Sequence, residues 1–159
     1  MNGKIIFAAG FLALLVAMTG ITSCRTAKPL PSADLSAPGW QVLQGQALWK
    51  PDRTRPEVVG DLLLATNAAG DCFVQLNKNP FPLVTAERLG ERWQIQFGAG
   101  DYSRRGFGAP PDRFSWFQLP CALSGGRPGG DWRFENMASN ACRLENAKTG
   151  ETLEVVIIP

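Results

Sequence analysis

The alternation of apolar and polar side chains between Asp71 and Gly98 is the strongest pattern in the chain. Every second side chain is apolar from Cys72 to Leu76 and again from Trp93 to Phe97. Successive side chains of a strand point to opposite faces, so this spacing predicts strands with one buried face. A third extended segment, Phe81 to Thr85, lies between them. The upstream run from Glu57 to Thr66 adds a fourth strand, and together they predict an antiparallel meander.

Further strands are predicted on both sides of the meander. Leu89 and Gly90 lie between two charged pairs and mark the tip of the hairpin before Trp93. Trp40 to Trp49 predicts a first strand, in which Gly45 indicates a bulge. Three more strands are predicted over Trp132 to Glu135, Cys142 to Glu145 and Thr152 to Ile158. The last is nearly continuous in apolar character, so we expect it to be central in the sheet or covered on both faces.

The aromatic segment that ends at Pro120 predicts one short helix. Asp112 is suited to cap its N-terminus, and Phe114 and Phe117 then fall on one side at helical spacing. Pro120 is expected to break or kink the helix, because proline removes a main-chain hydrogen bond. The sequence Ser124 to Gly126 is expected to end it.

These elements predict a mainly β fold, a strongly curved antiparallel sheet of about seven to eight strands; the family resemblance given below implies the alternative form, an incomplete antiparallel β-barrel. One or two short helices would pack on its concave face. The segment from Gly98 to Asp112 is rich in Gly, Pro and Arg and predicts a long loop before the helix. The apolar side chains under the helix either form an ordinary packed core or line an apolar cavity. The candidate cavity residues are Trp49, Leu62, Leu64, Leu83, Trp93, Ile95, Phe97, Phe114 and Phe117.

The first 23 residues predict a secretory signal. Lys4 is the only charge before an apolar run from Ile5 to Ile21, which is short for a spanning helix. The string Ile21-Thr22-Ser23-Cys24 resembles the bacterial lipobox, in which small residues precede a cysteine that is lipidated and becomes the new N-terminus. This resemblance implies that Cys24 carries acyl chains such as palmitate and holds the protein on a membrane. An uncleaved membrane anchor and an ordinary signal peptide remain as alternatives.

Residues 24–39 follow the signal as a predicted flexible tether, because Pro29, Pro31 and Pro38 interrupt any periodic pattern. Residues 40–159 then form a single β-rich domain. The residue after Cys24 is Arg25 and not aspartate. By the sorting rule of Gram-negative lipoproteins, this implies the outer membrane, on the side that faces the periplasm.

Composition narrows the chemistry available to the chain. Without the signal 136 residues remain, and their 15 basic side chains exceed the 14 acidic ones by a single charge. Such a balance does not indicate a nucleic-acid partner. The chain has no histidine, which excludes Ser-His-Asp and Cys-His catalysis and histidine-based metal sites. No phosphate-binding glycine motif opens a helix, so we expect no cofactor.

Three cysteines remain if Cys24 is lipidated, and secretion permits disulfides. Cys72 shares the strand parity of Val74, so we expect it in the core. Two alternatives stay open for the others: a disulfide between Cys121 and Cys142, or three buried free thiols.

The order of elements resembles the LolA/LolB-like lipoprotein-localisation family. The resemblance rests on PFPLVTAERLGERWQIQF (Pro80 to Phe97), PPDRFSWFQLPCALSG (Pro110 to Gly125) and RLENAKTGETLEVVI (Arg143 to Ile157). It implies an incomplete β-barrel with a helical lid over an apolar cavity. It also implies that Leu89 and Gly90 form a loop that contacts a membrane or a partner.

The resemblance implies an envelope lipoprotein that binds lipid or lipoprotein acyl chains and meets a periplasmic carrier protein. The alternative is a structural or interaction lipoprotein with a packed β-domain and no ligand. A hydrolase is the third candidate, but Ser115 and Ser124 have no histidine partner, so we expect no enzyme activity.

Overall fold

A computed structural model describes residues 29–98 and 102–158, and these form one nine-stranded antiparallel sheet with one helix. The mainly β fold is therefore confirmed, with nine strands in place of about seven to eight. The elements are β1 (Gln41–Lys50), β2 (Val58–Thr66), β3 (Cys72–Lys78), β4 (Phe81–Leu89), β5 (Arg92–Phe97), β6 (Tyr102–Phe107), α1 (Ser115–Leu123), β7 (Trp132–Ala138), β8 (Ala141–Asn146) and β9 (Thr152–Ile158). Cys24 and the predicted signal lie outside the described residues.

The sheet is open, and α1 joins its two edges. The strand order is β6-β5-β4-β3-β2-β1-β9-β8-β7, with every neighbouring pair antiparallel. β6 and β7 are the edges, so the chain between them crosses the sheet, and α1 lies on that crossing. β9 lies inside the sheet between β1 and β8, as its apolar character predicts. Its outer face is open, because Val156 and Ile158 are exposed.

The sheet is strongly curved, as the rings of Trp49 and Phe97 demonstrate. Trp49 is on β1 and Phe97 is on β5, with three strands between them. In a flat sheet, strands this far apart would be separated by about 19 Å. The two ring centroids are 6.1 Å apart and the rings are stacked. The concave face therefore brings distant strands together around α1.

The core fills most of this concave face. Trp116 and Leu119 of α1 are 1% and 0% exposed, and they pack with strand residues from both halves of the sheet. The strand side chains in this core include Leu62, Leu64, Val74, Leu76, Val84, Trp93, Ile95, Leu144, Leu153 and Val155. A core that spans so many strands ties the two halves of the open sheet to one helix.

The N-terminus of α1 differs from the prediction, whereas its C-terminus agrees with it. Phe114 is the N-cap residue and makes no side-chain capping bond, so the predicted cap at Asp112 is wrong. The main-chain carbonyl of Asp112 instead accepts a hydrogen bond from Trp132 Nε1. The helix also continues through Pro120, because the buried side chains around that residue hold it against the sheet. It ends where predicted, as Gly125 adopts φ +79°.

Gly106 and Gly45 both lie in regular strands, where the sequence predicts a loop and a bulge. The predicted loop from Gly98 to Asp112 contains the edge strand β6, in which Gly106 lies under the indole of Trp93. Gly45 does not mark a bulge, since β1 pairs continuously with both neighbouring strands. A Cβ at Gly45 would collide with the carbonyl oxygen of Val156, so this glycine permits a close approach of β9.

The described part of the predicted tether packs on the convex face of the sheet. Leu30 is 8% exposed, and its N–H donates to Gln94 Oε1 at 3.0 Å. Gln94 Nε2 in turn donates to Glu87 Oε2 at 2.8 Å. Glu87 is 3% exposed, and burial raises the pKa of its carboxyl, opposed by hydrogen bonds from Gln94 and from the main chain of Ala33. This segment therefore joins the domain beside β5.

Candidate functional site

One end of the concave face opens into a depression of about 840 Å³ beside the N-terminus of α1, and we call it the aromatic cleft. Its lining residues come from β1, β2, β4, β5, β6, α1 and the loops near them. They are Trp49, Pro51, Asp52, Arg55, Val58, Leu83, Phe97, Gly98, Tyr102, Arg113, Phe114, Ser115, Trp116 and Glu151. Most of this wall is apolar, and its two carboxylates are those of Asp52 and Glu151.

The rings in the cleft are in contact with one another. Trp49 stacks on Phe97 and meets Trp116 edge-on, with centroids 5.4 Å apart. Phe97 also contacts Tyr102, whose centroid lies 5.8 Å away. Such packed aromatic pairs stabilise the wall of the cleft. The cleft stays open to solvent, because Trp49 and Phe97 are half-buried and Tyr102 is 44% exposed.

Leu83 reaches the cleft because of a strand irregularity. Val84 pairs with Leu76 and Pro82 pairs with Asn77, which leaves Leu83 without a partner on β3. An extra residue of this kind re-aims the side chains around it. Leu83 and Val84 therefore both pack on the concave side, although they are neighbours in sequence.

Glu151 carries the polar chemistry of the cleft. Its Oε1 accepts a hydrogen bond from Trp49 Nε1 at 2.9 Å and another from Ser115 Oγ at 2.6 Å. Burial raises the pKa of this carboxyl, opposed by the bonds from Ser115 and Trp49, while the charge of Asp52 raises it slightly more. Ser115 is fully buried and its hydroxyl is engaged, so it is a hydrogen-bond donor to Glu151.

The charges at the rim of the cleft are largely balanced. Arg55 pairs with Asp52 at 3.1 Å. The guanidinium of Arg113 lies 4.8 Å from the centroid of the Phe114 ring, in a cation–π contact. Among the described residues no cluster of side chains is suited to hold a metal ion.

The nine predicted cavity residues divide into three groups. Trp49, Leu83, Phe97 and Phe114 line the aromatic cleft. Phe117 lines a separate, more polar groove of about 600 Å³ near the C-terminal half of α1. The other four are packed in the core and line neither depression: Leu62, Leu64, Trp93 and Ile95. The predicted cavity is therefore reduced to its open end, because α1 fills the middle.

The predicted contact loop is the tight turn between β4 and β5. Leu89 pairs with Arg92 across the hairpin, and Gly90 adopts φ +59° at the turn. The N–H of Gly90 donates to Asp71 Oδ1 at 2.6 Å, which ties this turn to the preceding hairpin. Leu89 is half-buried, so it is neither a core residue nor a freely projecting one.

The three described cysteines are free thiols, and the disulfide between Cys121 and Cys142 is not formed. Cys142 is buried on β8, whereas Cys121 is exposed on α1 and borders the polar groove. Cys72 is buried, as its strand parity predicts, and burial raises the pKa of its thiol to about 11.

Sequence reasoning missed Glu151, the residue with the most distinctive environment. Its donors Trp49 and Ser115 are 102 and 36 positions away in the chain. No local motif signals such a meeting. The only sequence cue is that Glu151 directly precedes the final strand, which places it at one end of the sheet.

Comparisons with known proteins assign no family to this fold and cleft. No protein-family model matches the chain, and no curated protein matches its sequence. In the described residues, no helix is long and apolar enough to cross a membrane. The LolA/LolB-like resemblance therefore stays a prediction from the residues that suggested it.

Proposed function

We propose that this chain is a membrane-anchored envelope lipoprotein whose aromatic cleft binds the aliphatic chain of a lipid or of a lipoprotein. The aromatic cleft itself is the observation that carries this proposal. Its volume of about 840 Å³ lies within the roughly 300–1,000 Å³ of typical ligand sites. Trp49, Leu83 and Phe97 offer apolar surface that is partly exposed. Each methylene group moved there from water gains about 0.8 kcal/mol.

The packed interior supports the competing function, a structural or interaction lipoprotein without a ligand. Leu64, Val84 and Ile95 are at most 1% exposed, so these three side chains border no open space beneath α1. An aliphatic chain therefore fits in the aromatic cleft and not under the middle of α1. This limits the proposal to part of a chain that enters beside α1, with the rest of the molecule outside.

Two neighbouring valines provide the test. Val58 lines the cleft and is half-buried, whereas Val59 is 56% exposed and does not line it. We expect hexyl glucoside, a neutral probe with an aliphatic chain, to bind the wild-type protein and the Val59→Trp variant. Val58→Trp should fill the cleft and abolish this binding. Isothermal titration calorimetry measures the binding of hexyl glucoside to each protein in nanodiscs, and empty nanodiscs serve as the blank. Equal binding by both variants, or none by wild type, contradicts the proposal.

Membrane attachment through a lipid on Cys24 is the second part of the proposal. Leu30 is bound to Gln94, and six residue steps separate it from Cys24. A chain of that length spans at most roughly 20 Å, so the lipid would keep β5 close to the membrane surface. A periplasmic carrier protein would then deliver its cargo at the membrane.

Cys24→Ala tests the anchor. We expect wild-type protein to incorporate labelled palmitate and to sediment with membranes, and the variant to do neither. Ser23→Ala, which keeps a small residue before the cysteine, is the matched control. Membrane-bound Cys24→Ala protein, together with unlabelled wild type, would refute the lipoprotein assignment.

A further inference from the structure

Glu151 is held rigidly at the base of the aromatic cleft. It lies in the turn between β8 and β9, where Asn146 Oδ1 accepts the N–H groups of Lys148 and Thr149, both at 3.0 Å. The main-chain carbonyl of Glu151 accepts the N–H of Asn146 at 2.9 Å. The hydrogen-bonded turn and the strand that follows it fix the main chain of Glu151, and therefore the position from which its carboxylate enters the cleft.

The two donors of Glu151 leave half of the carboxylate unused. Trp49 and Ser115 both donate to Oε1, and no described residue donates to Oε2. The ion pairs among the described residues do not include Glu151. A half-buried carboxylate without a cation bears a desolvation cost that a cationic ligand would offset. Oε2 is therefore the open acceptor of the cleft.

The surrounding rings favour the same kind of ligand. The faces of aromatic rings carry negative charge density and attract cations within about 6 Å. Trp49 and Phe97 are neighbouring rings of this kind in the cleft that Glu151 also lines, whereas the Tyr102 ring beside them already holds the guanidinium of Arg104, 4.9 Å from its centroid. Quaternary ammonium groups are typically recognised by cages of several aromatic rings.

The formal charges that line the cleft sum to zero, so Glu151 sets the sign of the charge only locally, at its own carboxylate. Asp52 is already paired with Arg55. Arg113 is exposed at the rim and lies over the Phe114 ring. Within the part of the cleft that the structure describes, Glu151 is thus the only carboxylate without a cationic partner.

We propose that the aromatic cleft binds an amphiphile with an ammonium head group, which contacts Glu151 Oε2 while its aliphatic chain lies against Trp49, Leu83 and Phe97. This inference rests on the proposed function, since it names the class of ligand that enters the same cleft. The ammonium group would replace the missing counter-ion of Glu151. The chain would cover the half-exposed rings.

Three probes with one chain length separate head-group recognition from chain binding. They are hexyltrimethylammonium, hexyl sulfate and hexyl glucoside, titrated into the full chain in nanodiscs and into empty nanodiscs as a blank. We expect the ammonium probe to bind about tenfold more tightly than the glucoside, as a cation–π and charge contribution of this size predicts. The sulfate should bind most weakly.

Glu151→Gln is the decisive variant, because glutamine keeps the acceptor for Trp49 and Ser115 and loses the charge. The tenfold preference should vanish while glucoside binding stays. Glu91→Gln removes the same charge from an exposed position in the β4–β5 turn and should keep the preference. A thermal melt verifies that each variant is folded.

The possible outcomes are distinct. Equal affinity for all three probes, or tightest binding of the sulfate, overturns the head-group assignment and leaves chain binding intact. No binding of any probe overturns the proposed function as well. If Glu151→Gln does not fold, the wild-type ranking of the three probes still decides the head-group assignment.

Discussion

Trp49 donates its indole N–H to the carboxylate of Glu151 at 2.9 Å, although 102 positions separate them in the chain. The contact exists because β9 pairs with β1 and sets Leu153 opposite Trp49. Glu151 lies just before β9, so this register carries it to the end of β1. Ser115 at the start of α1 then supplies the second donor. The cleft therefore forms because β9, the last strand of the sequence, pairs with β1, the first.

Trp93→Ala is expected to destabilise the domain by about 3–5 kcal/mol, the usual cost of removing a packed aromatic side chain. Trp93 is 8% exposed and contacts the rings of Phe114 and Phe117 at 6.1 and 6.0 Å. Urea unfolding measures the free energy. Phe107→Ala, at a position 69% exposed on the neighbouring strand, should change it by less than about 0.5 kcal/mol. A loss below about 1 kcal/mol for Trp93→Ala would mean that the side chain is not packed.

Glu87→Gln should flatten the pH dependence of stability. Burial raises the pKa of Glu87 above its ordinary value of 4.5, so the folded state holds this proton more tightly than the unfolded state. The stability from that proton is complete below pH 4.5 and is lost as pH rises through the folded pKa. Unfolding free energies of both proteins, measured from acid to neutral pH, should diverge over that window. Parallel curves would contradict the assigned shift.

Cys121 should be the one reactive thiol among the described cysteines. It is exposed, whereas Cys72 and Cys142 are buried and burial raises the pKa of both thiols. We expect maleimide to label the native protein once, and Cys121→Ser to abolish that labelling. Cys72→Ser should leave it unchanged. A native protein that reacts only after reduction would instead indicate the disulfide with Cys142.

Leu89→Glu tests the contact role that the family resemblance implies for the β4–β5 turn. On that hypothesis the substitution changes stability by less than about 0.5 kcal/mol and weakens co-sedimentation with liposomes. The chain from residue 29 is used, so that a lipid on Cys24 does not mask the effect. Val59→Glu, at an exposed position on β2, should sediment as wild type does. A large drop in melting temperature would show that the half-buried Leu89 supports the fold, and unchanged sedimentation would remove the proposed role.

Periodicity predicted the strands that carry a buried face. The alternation around Val74 and Ile95 follows directly from their burial, at 0% exposure each, and the meander was predicted for that reason. The sequence does not predict β6, because its side chains are mostly exposed at the edge of the sheet and because Gly106, which lies under Trp93, has no side chain. A strand whose side chains are exposed on both faces shows no alternation of apolar and polar residues in its sequence.

The candidate site could be predicted only in part. The sequence predicts that Trp49 and Phe97 line a cavity, because large apolar side chains on one face of a strand point inward, and both residues line the cleft. The depth of the cavity was not predictable, since it depends on how closely α1 fills the sheet. Glu151 was not predictable either, because its role arises from hydrogen bonds between distant parts of the chain.

The most direct test of the account is to locate a bound chain in the protein. An alkyl probe with a terminal diazirine is photolysed with the native protein, and the labelled residues are mapped by peptide mass spectrometry. We predict labels at Trp49, Leu83 and Phe97, and their loss in Val58→Trp but not in Val59→Trp. Labels confined to the convex face, or a pattern that Val58→Trp leaves unchanged, would contradict chain binding in the aromatic cleft.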